Sequence, residues 1–394
     1  MRELQAPRTE AMKINFNRQS ISDSISPLMS TVSNKSTKPA VEGILIDAKE
    51  DGTCILTTFD EEKGMRITVE AEVEEAGTYI INAQKFAQTL RVMEGETVTL
   101  TVNDMLQACI SSGKSNHRMN ALPGSDYPAI PRLITEDGFM IGQAVLKNIL
   151  SKVSCAMAVN NIRPELNGCY INVQSGKLLA VSCDGSKLAK CSAETDIENK
   201  SEGSQDMKFS FIIPTKTVGE LCKLLRDDER ESVVIYMTRK NIVFRIGDII
   251  FFSRLIEAQY IDYDRIIMTQ HPISVNLDRA RMIAALERAA LVTEDKIQGR
   301  IGSHVKLSFE GDLLKISADS TLGSTYDELS IEHEGGDLVI AFNNRFLLES
   351  LRASDCESVK FSMSSMHTSI NIEPSEKVDG KEELFMLLPI RMRG

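Results

Sequence analysis

The chain has 394 residues, long for one hydrophobic core and suited to two or three domains. Its 42% hydrophobic content beside 26% charged residues excludes wholesale disorder, and no apolar run reaches the about 18 residues of a membrane helix. A net charge of -11 excludes a protein coated all round in basic side chains, so any nucleic-acid surface has to be local.

The first residues, up to Ala11, carry no apolar signal core, and Met12 opens directly into the alternating "KINF". Residues 1–11 therefore read as a disordered extension of a cytoplasmic protein, or as the product of a start site upstream of Met12. An amphipathic helix is expected from Arg18 ("RQSISDSISPLMSTVS"), weakened by its serines and by Pro27. A strand follows in "GTCILTTFD", ending at Asp60, and then "YIINAQKFAQTLRVM" from Tyr79 spells a strand leading into a basic helix.

After the proline-rich "LPGSDYPAIPRL" the pattern starts again. The helix is "GQAVLKNILSKVSCAM" from Gly142, the strand "GKLLAVSCD" ends at Asp184, and "FIIPTKTVGELCKLL" runs from Phe211. Past "MTQHPISV" it returns as "DRARMIAALERAALV" from Asp278, "GDLLKISAD" to Asp319 and "VIAFNNRFLLESLRA" from Val339. Each repeat reads strand, helix, strands, strand, helix, strands. The chain is thus expected to be α+β, in three units that join near residues 135 and 270.

The six helices, the first counted on through its following loop from Arg18 to Lys38, share a charge pattern that the rest of the chain lacks, since each carries more basic than acidic residues. The side chains offered are Lys85 and Arg91, Lys147 and Lys152, Lys216, Lys223 and Arg226, Arg279 and Arg281, and Arg345 and Arg352. One basic helix is ordinarily a solvated face, but six at equivalent places predict a positive surface for phosphate backbone, without sequence reading. With no tryptophan and only 5% aromatic residues, duplex is expected over single strands.

Signs of catalysis are weak. The five histidines are scattered, "SSGKS" at Ser111 lacks the earlier glycine of a phosphate loop, and Asp60, Asp184 and Asp319 are expected to cap turns in separate repeats. The eight cysteines form no C-x-x-C pair and read as reduced, buried thiols. No enzyme, metal or cofactor is expected.

Several segments resemble the β subunit of bacterial DNA polymerase III, the sliding-clamp family: "RPELNGCYINV", "LLAVSCDGSKLAK", "FSRLIEAQYIDYDRII", "ERAALVTEDKIQGRI" and the terminal "MLLPIRM". The likeness runs from residue 12 to 392. It implies three tandem DNA-clamp domains, 12–134, 135–270 and 271–394, each with two helices packed on β-sheets. Two chains would close head to tail into a ring around duplex DNA and tether the replicative polymerase. The resemblance adds loop contacts to DNA at Lys35 and Arg163, and a dimer contact at His117, Leu291 and Val292.

It also implies a pocket for short peptides of the polymerase α subunit, clamp-loader subunits, other polymerases and repair proteins. Its wall would be Leu166, Cys183, Gly185, Ser186, Lys187, Leu188, Ile261, Arg265 and Ile266, closed by His367 and by Met386, Leu387, Leu388, Pro389, Ile390, Arg391 and Met392. Ser186 and Lys187 stand where the family often has His-Arg, and Ile261 where it often has proline. Two other readings stay open: a non-ring scaffold or non-specific DNA-binding regulator built from the same repeats, and a hydrolase on the repeat scaffold.

Overall fold

The computed structural model describes residues 10–33, 36–133, 136–174, 176–201, 207–293 and 304–391. The first repeat runs β1 (Glu10–Asn17), α1 (Arg18–Leu28), β2 (Gly43–Ala48), β3 (Cys54–Phe59), β4 (Lys63–Val69), β5 (Glu72–Glu75), β6 (Gly77–Asn82), α2 (Ala83–Val92), β7 (Thr97–Asn103), β8 (Gln107–Ser112) and β9 (Ser115–Pro123). The second has β10 (Gly138–Gly142), α3 (Gln143–Ser154), β11 (Gly168–Gln174), β12 (Lys177–Cys183), β13 (Lys187–Glu194), β14 (Ile197–Asn199), β15 (Lys208–Pro214), α4 (Thr215–Leu224), β16 (Ser232–Met237), β17 (Asn241–Ile246) and β18 (Ile249–Arg254). A single turn, α5 (Tyr263–Ile266), leads to the third: β19 (Ile273–Asp278), α6 (Arg279–Thr293), β20 (His304–Glu310), β21 (Leu313–Ser320), β22 (Gly323–Ser330), β23 (Glu332–Glu334), β24 (Leu338–Asn343), α7 (Asn344–Ala353), β25 (Ser358–Met363), β26 (Ile370–Pro374) and β27 (Lys381–Leu387). All six expected helices form. The strand before the first begins at Glu10, two residues ahead of the expected Met12.

Local chemistry explains the helix starts and stops. Asn17, Asn82 and Asn343 cap α1, α2 and α7 by accepting backbone N–H groups of the first turn. Pro27 sits one residue from the end of α1, where the chain tightens into a 3-10 turn at Met29–Thr31. Arg18 opens α1 and donates from Nε to Gly95 O at 2.9 Å, while Arg279 opens α6 and donates to Cys356 O and Leu351 O at 2.5 and 3.1 Å. Each arginine ties the first helix of its repeat to the chain at or just past the end of the second.

The fold divides into two compact units. The first contains the first repeat and Ser232–Arg254. Its strands run β16-β17-β18-β4-β3-β2-β6-β9-β8-β7-β1-β5. In β7 every second residue is buried (Val98, Leu100, Val102), the alternation of a half-buried strand, and Phe86 and Leu90 of α2 are fully buried. β18 pairs antiparallel with β4, Phe251 opposite Met65 and Phe252 opposite Gly64. The first part of β9 has β8 on one side and, among the described residues, no strand on the other.

The second unit contains most of the second repeat and the third. One of its sheets runs β15-β11-β12-β13-β27-β26-β25-β19-β23, and β27 pairs antiparallel with β13, Phe385 opposite Ala189 and Met386 opposite Leu188. The other runs β22-β21-β20-β24, leaving β22 at an edge. Helix α4 packs beside α3, α3 beside α7, and α7 beside α6. Their buried faces (Leu146, Ile149, Leu150 and Val153 on α3; Met282, Ala285, Leu286 and Ala289 on α6) are the apolar stripes of the sequence.

One alignment needs correction. Asp60 accepts the N–H groups of Glu62 and Lys63, and Asp184 those of Ser186 and Lys187, as expected for turn caps. In the third repeat that place belongs to Ser320, whose Oγ accepts Leu322 N–H, and not to Asp319. The reason is a one-residue shift in the preceding turn: Leu178 faces Val173 as Leu314, not Leu313, faces Phe309. Asp319 is thereby the structural counterpart of Cys183 and Phe59.

Candidate functional site

Two sets of residues bear on the sequence expectations, exposed cations on the helices and an apolar cluster in the second unit, called the groove below after the peptide pocket expected there. On the helices, Lys85 and Arg91 of α2 are exposed, as are Lys216, Lys223 and Arg226 around α4, Arg281 on α6, and Arg345 and Arg352 on α7. Arg91, Lys223 and Arg352 each fall in the last turn of the second helix of their repeat. A cation there also favours the negative helix end, so part of this regularity is local.

Several predicted cations already have partners. Lys147 pairs with Asp227 at 2.7 Å, Lys223 with Glu220 at 3.2 Å, Arg226 with Glu231 at 2.8 Å, Arg345 with Glu349 at 3.5 Å, Arg352 with Glu287 at 2.6 Å and Arg163 with Glu165 at 3.0 Å. Most of these are exposed pairs, worth about 0–1 kcal/mol, so an incoming phosphate competes with them easily.

Lys152 and Arg279 differ, being less exposed and more firmly held than the sequence reading expects. Lys152 is 15% exposed and held by Glu383 at 2.7 Å and Asp355 at 3.0 Å. Burial lowers its pKa, but the two carboxylates outweigh that and the net direction is upward. Arg279 is bound to backbone carbonyls, as described above. Both are held by their own chain, so a phosphate contact there would have to displace bonds that the exposed cations do not make. Lys35 lies outside the described residues.

The groove lies in the second unit, on the face of β12, β13 and β27 away from α3. Leu166, Val181, Cys183, Leu188 and Met386 form one buried apolar cluster, with Tyr170, Leu179, Tyr260, Ile261, Tyr263, Ile267 and Leu384 packed against it. Gly185 takes φ +96 in the tight turn between β12 and β13, a conformation that other side chains rarely adopt. At the rim Ile266 and Leu388 are exposed apolar side chains, Ser186 O accepts Leu388 N–H, and Arg265 pairs with Asp262 at 2.9 Å. Pro389, Ile390 and Arg391 continue the tail, with Ile390 N–H donated to Ala341 O at 2.8 Å. His367 is exposed in the turn after β25, and Met392 lies outside the described residues.

Two predicted wall residues face elsewhere. Lys187 is buried, ion-paired with Glu349, with its Nζ 4.4 Å from the Phe346 ring centre. Leu387 alternates with Met386 along β27 and is buried on the opposite side of the sheet.

The sequence reading missed an aromatic trio. Tyr170 stacks on Tyr260 at 5.2 Å and meets Tyr263 at 6.1 Å, while Lys190 lies over Tyr263 and pairs with Asp264 at 3.1 Å. A signal existed, two of only seven tyrosines falling within "QYIDY". Burial pushes the Tyr260 phenol upward, Tyr263 up to about 12, and the Cys183 thiol upward. These groups stay neutral, and the groove is an apolar surface rather than a reactive one.

Of the predicted dimer residues, His117 is exposed on the bare side of β9, Leu291 is 79% exposed on α6, and Val292 is half-buried. All eight cysteines are free thiols; four are buried (Cys54, Cys169, Cys183, Cys191) and four half-buried. Among the described residues no three His, Cys, Asp or Glu side chains converge as a metal site, and no helix is long and apolar enough to cross a membrane.

Comparison with known proteins places the chain. Models of the N-terminal, central and C-terminal domains of the DNA polymerase III beta subunit match residues 12–131, 140–262 and 264–388. The Beta sliding clamp of Staphylococcus epidermidis is 28% identical over 393 residues, covering 96% of this chain and 99% of that protein. The Beta sliding clamp of Staphylococcus aureus is 29% identical over 362 residues, 89% and 92%. Among solved structures, the sliding clamp of Bacillus subtilis superposes with TM-score 0.88 at 24% identity over 98% of this chain and all of that one. The DNA polymerase III subunit beta of Pseudomonas aeruginosa gives 0.86 at 25% identity over 97% and 100%. Three tandem clamp domains, matched in order along the chain, make it a member of the DNA polymerase III β-subunit family, the bacterial sliding clamps.

Proposed function

We propose that this chain is a replication processivity clamp: two copies close into a ring around duplex DNA and tether a polymerase to it. The observation that carries the ring is the pair of unlike bare edges. The inner repeats join by pairing the ninth strand of one repeat with the fourth strand of the repeat before it, β18 with β4 and β27 with β13. That rule leaves the ninth strand of the first repeat, β9, and the fourth of the third, β22, for a second copy to complete.

The exposed cations of α2, α4, α6 and α7 support a sequence-independent hold on phosphates, in which one base-pair step exchanges each contact for an identical one. The groove around Cys183 and Met386 supports capture of an extended peptide with apolar anchors, from the polymerase α subunit, the clamp loader or repair proteins. Tethering raises the local polymerase concentration at the primer end, and the chain itself performs no catalysis and requires no cofactor.

The test is retention on nicked circular DNA after loading by a clamp-loader ATPase. The ring predicts stable retention that disappears on linearisation; equal retention on linear and circular DNA would favour a non-ring DNA-binding regulator. Replacing Lys85, Arg91, Lys216 and Lys223 together by Glu should shorten retention at least about tenfold without changing peptide binding, because each phosphate contact adds to the salt-dependent affinity.

A further inference from the structure

The two inner joins and the closing contact can be compared position by position, because the strand registers match. At the first join Phe252 lies opposite Gly64 and reaches across it to Phe59, ring centres 5.6 Å apart. At the second join the same two places hold Met386, opposite Leu188, and Cys183. In β9 the matching residue is Arg118: His117 faces Ile110 as Phe251 faces Phe244 and Phe385 faces Ile372, and Arg118 is next in line. In the third repeat Asp319 stands where Cys183 and Phe59 stand, paired with Ser324 as Cys183 is with Leu188 and Phe59 with Gly64.

Resting on the ring closure proposed above, we propose that Arg118 of one copy forms an ion pair with Asp319 of the next, across the small Ser324. The inner joins close this spot with apolar side chains, and the contact between copies closes it with opposite charges. Both residues are exposed, and among the described residues neither has an ion-pair partner in its own chain. The span is two strand spacings, roughly 10 Å between backbones, which the long arginine covers as the Phe252 ring covers it at the first join. On the neighbouring side of β9, His117 takes the place of the fully buried Phe251 and Phe385. The contact between copies is therefore both more polar and more salt-sensitive than the inner joins.

The experiment uses two full-length variants, Arg118→Asp and Asp319→Arg, with the fold of each checked by circular dichroism. Reversing either charge sets like charges against each other at both contacts of the ring, so each variant alone should dissociate about 100-fold more readily in sedimentation equilibrium, about tenfold per contact. Mixed one to one, the two variants should recover a dimer, because the mixed ring has opposite charges at both contacts. Folded single variants that dimerise within about twofold of wild type, or a mixture that stays monomeric while both singles are folded, would overturn the pair. A wild-type chain that is monomeric at micromolar concentration would instead overturn the ring itself, whatever the variants do.

Discussion

The first and second inner joins use one backbone plan and end in different surfaces. In both, a ninth strand pairs antiparallel with a fourth strand across the same register. At the first join the Phe59 and Phe252 rings fill the outer face, packed with Ala40, Ile80, Tyr127 and Val243. At the second, Cys183 and Met386 occupy the two ring positions, packed with Leu166, Val181 and Leu188 and bordered by the tyrosine trio. Backbone pairing therefore places the joins, and two side chains decide whether the spot is filled by aromatic rings or by a thiol and a thioether.

Emptying the plug tests that comparison most severely. Phe252→Ala should cost about 3–5 kcal/mol in urea-induced unfolding, the range for removing a buried ring, whereas Met386→Ala at the second join should fall toward the low end of about 2–5 kcal/mol. Equal costs would mean that the two joins are packed alike. Plugging the groove is the converse: Cys183→Phe should weaken binding of a fluorescent apolar clamp-binding peptide about 100-fold in anisotropy, with dimerisation unchanged. Full affinity in that variant would place the peptide elsewhere.

Gly64 sharpens the contrast. A Cβ there would lie 2.4 Å from Phe252 Cζ and 2.6 Å from Thr58 O, and the backbone atom cannot move aside. Gly64→Ala should lower stability by about 1–3 kcal/mol by overpacking, while the matching Leu188→Ala exchange should loosen the groove.

The smallest effect separates the joins by pH. Burial alone would raise the Asp355 pKa, but hydrogen bonds from Lys152 and Asn148 outweigh it and hold the carboxyl below its ordinary value. A carboxylate with a depressed folded pKa stabilises fully above the unfolded range, about 4, and loses that contribution as pH falls through the folded value. Asp355 is largely exposed, so Asp355→Asn should cost at most about 1 kcal/mol at neutral pH. In urea titrations from pH 7 to 3 that difference should vanish at the acid end; a constant gap would remove the ion pair as its cause.

Much of this was legible in the sequence, because repetition turns weak local signals into strong ones. A Ser-rich helix holding Pro27 is poor on its own, yet it sits where two clearer helices sit. Repetition also misled at Asp319, since matching letters hid a one-residue slip that only strand register exposes. Counting cations could not separate Arg281, exposed on the first turn of α6, from Arg279 two residues earlier, which closes on carbonyls remote in sequence. The groove residues rest on the family resemblance, which did not extend to Tyr170, and the meeting of its ring with Tyr260 arises only through folding.

The two bare strands carry a consequence for assembly. β9 offers His117 and Arg118, β22 offers Asp327 and Glu328, and the two are not copies of each other, so neither edge matches itself. Contacts between unlike surfaces propagate head to tail, and such a series either returns on itself or runs on as a filament. With every contact residue untouched, the rotation from one repeat to the next thus decides between the closed ring proposed above and an open polymer.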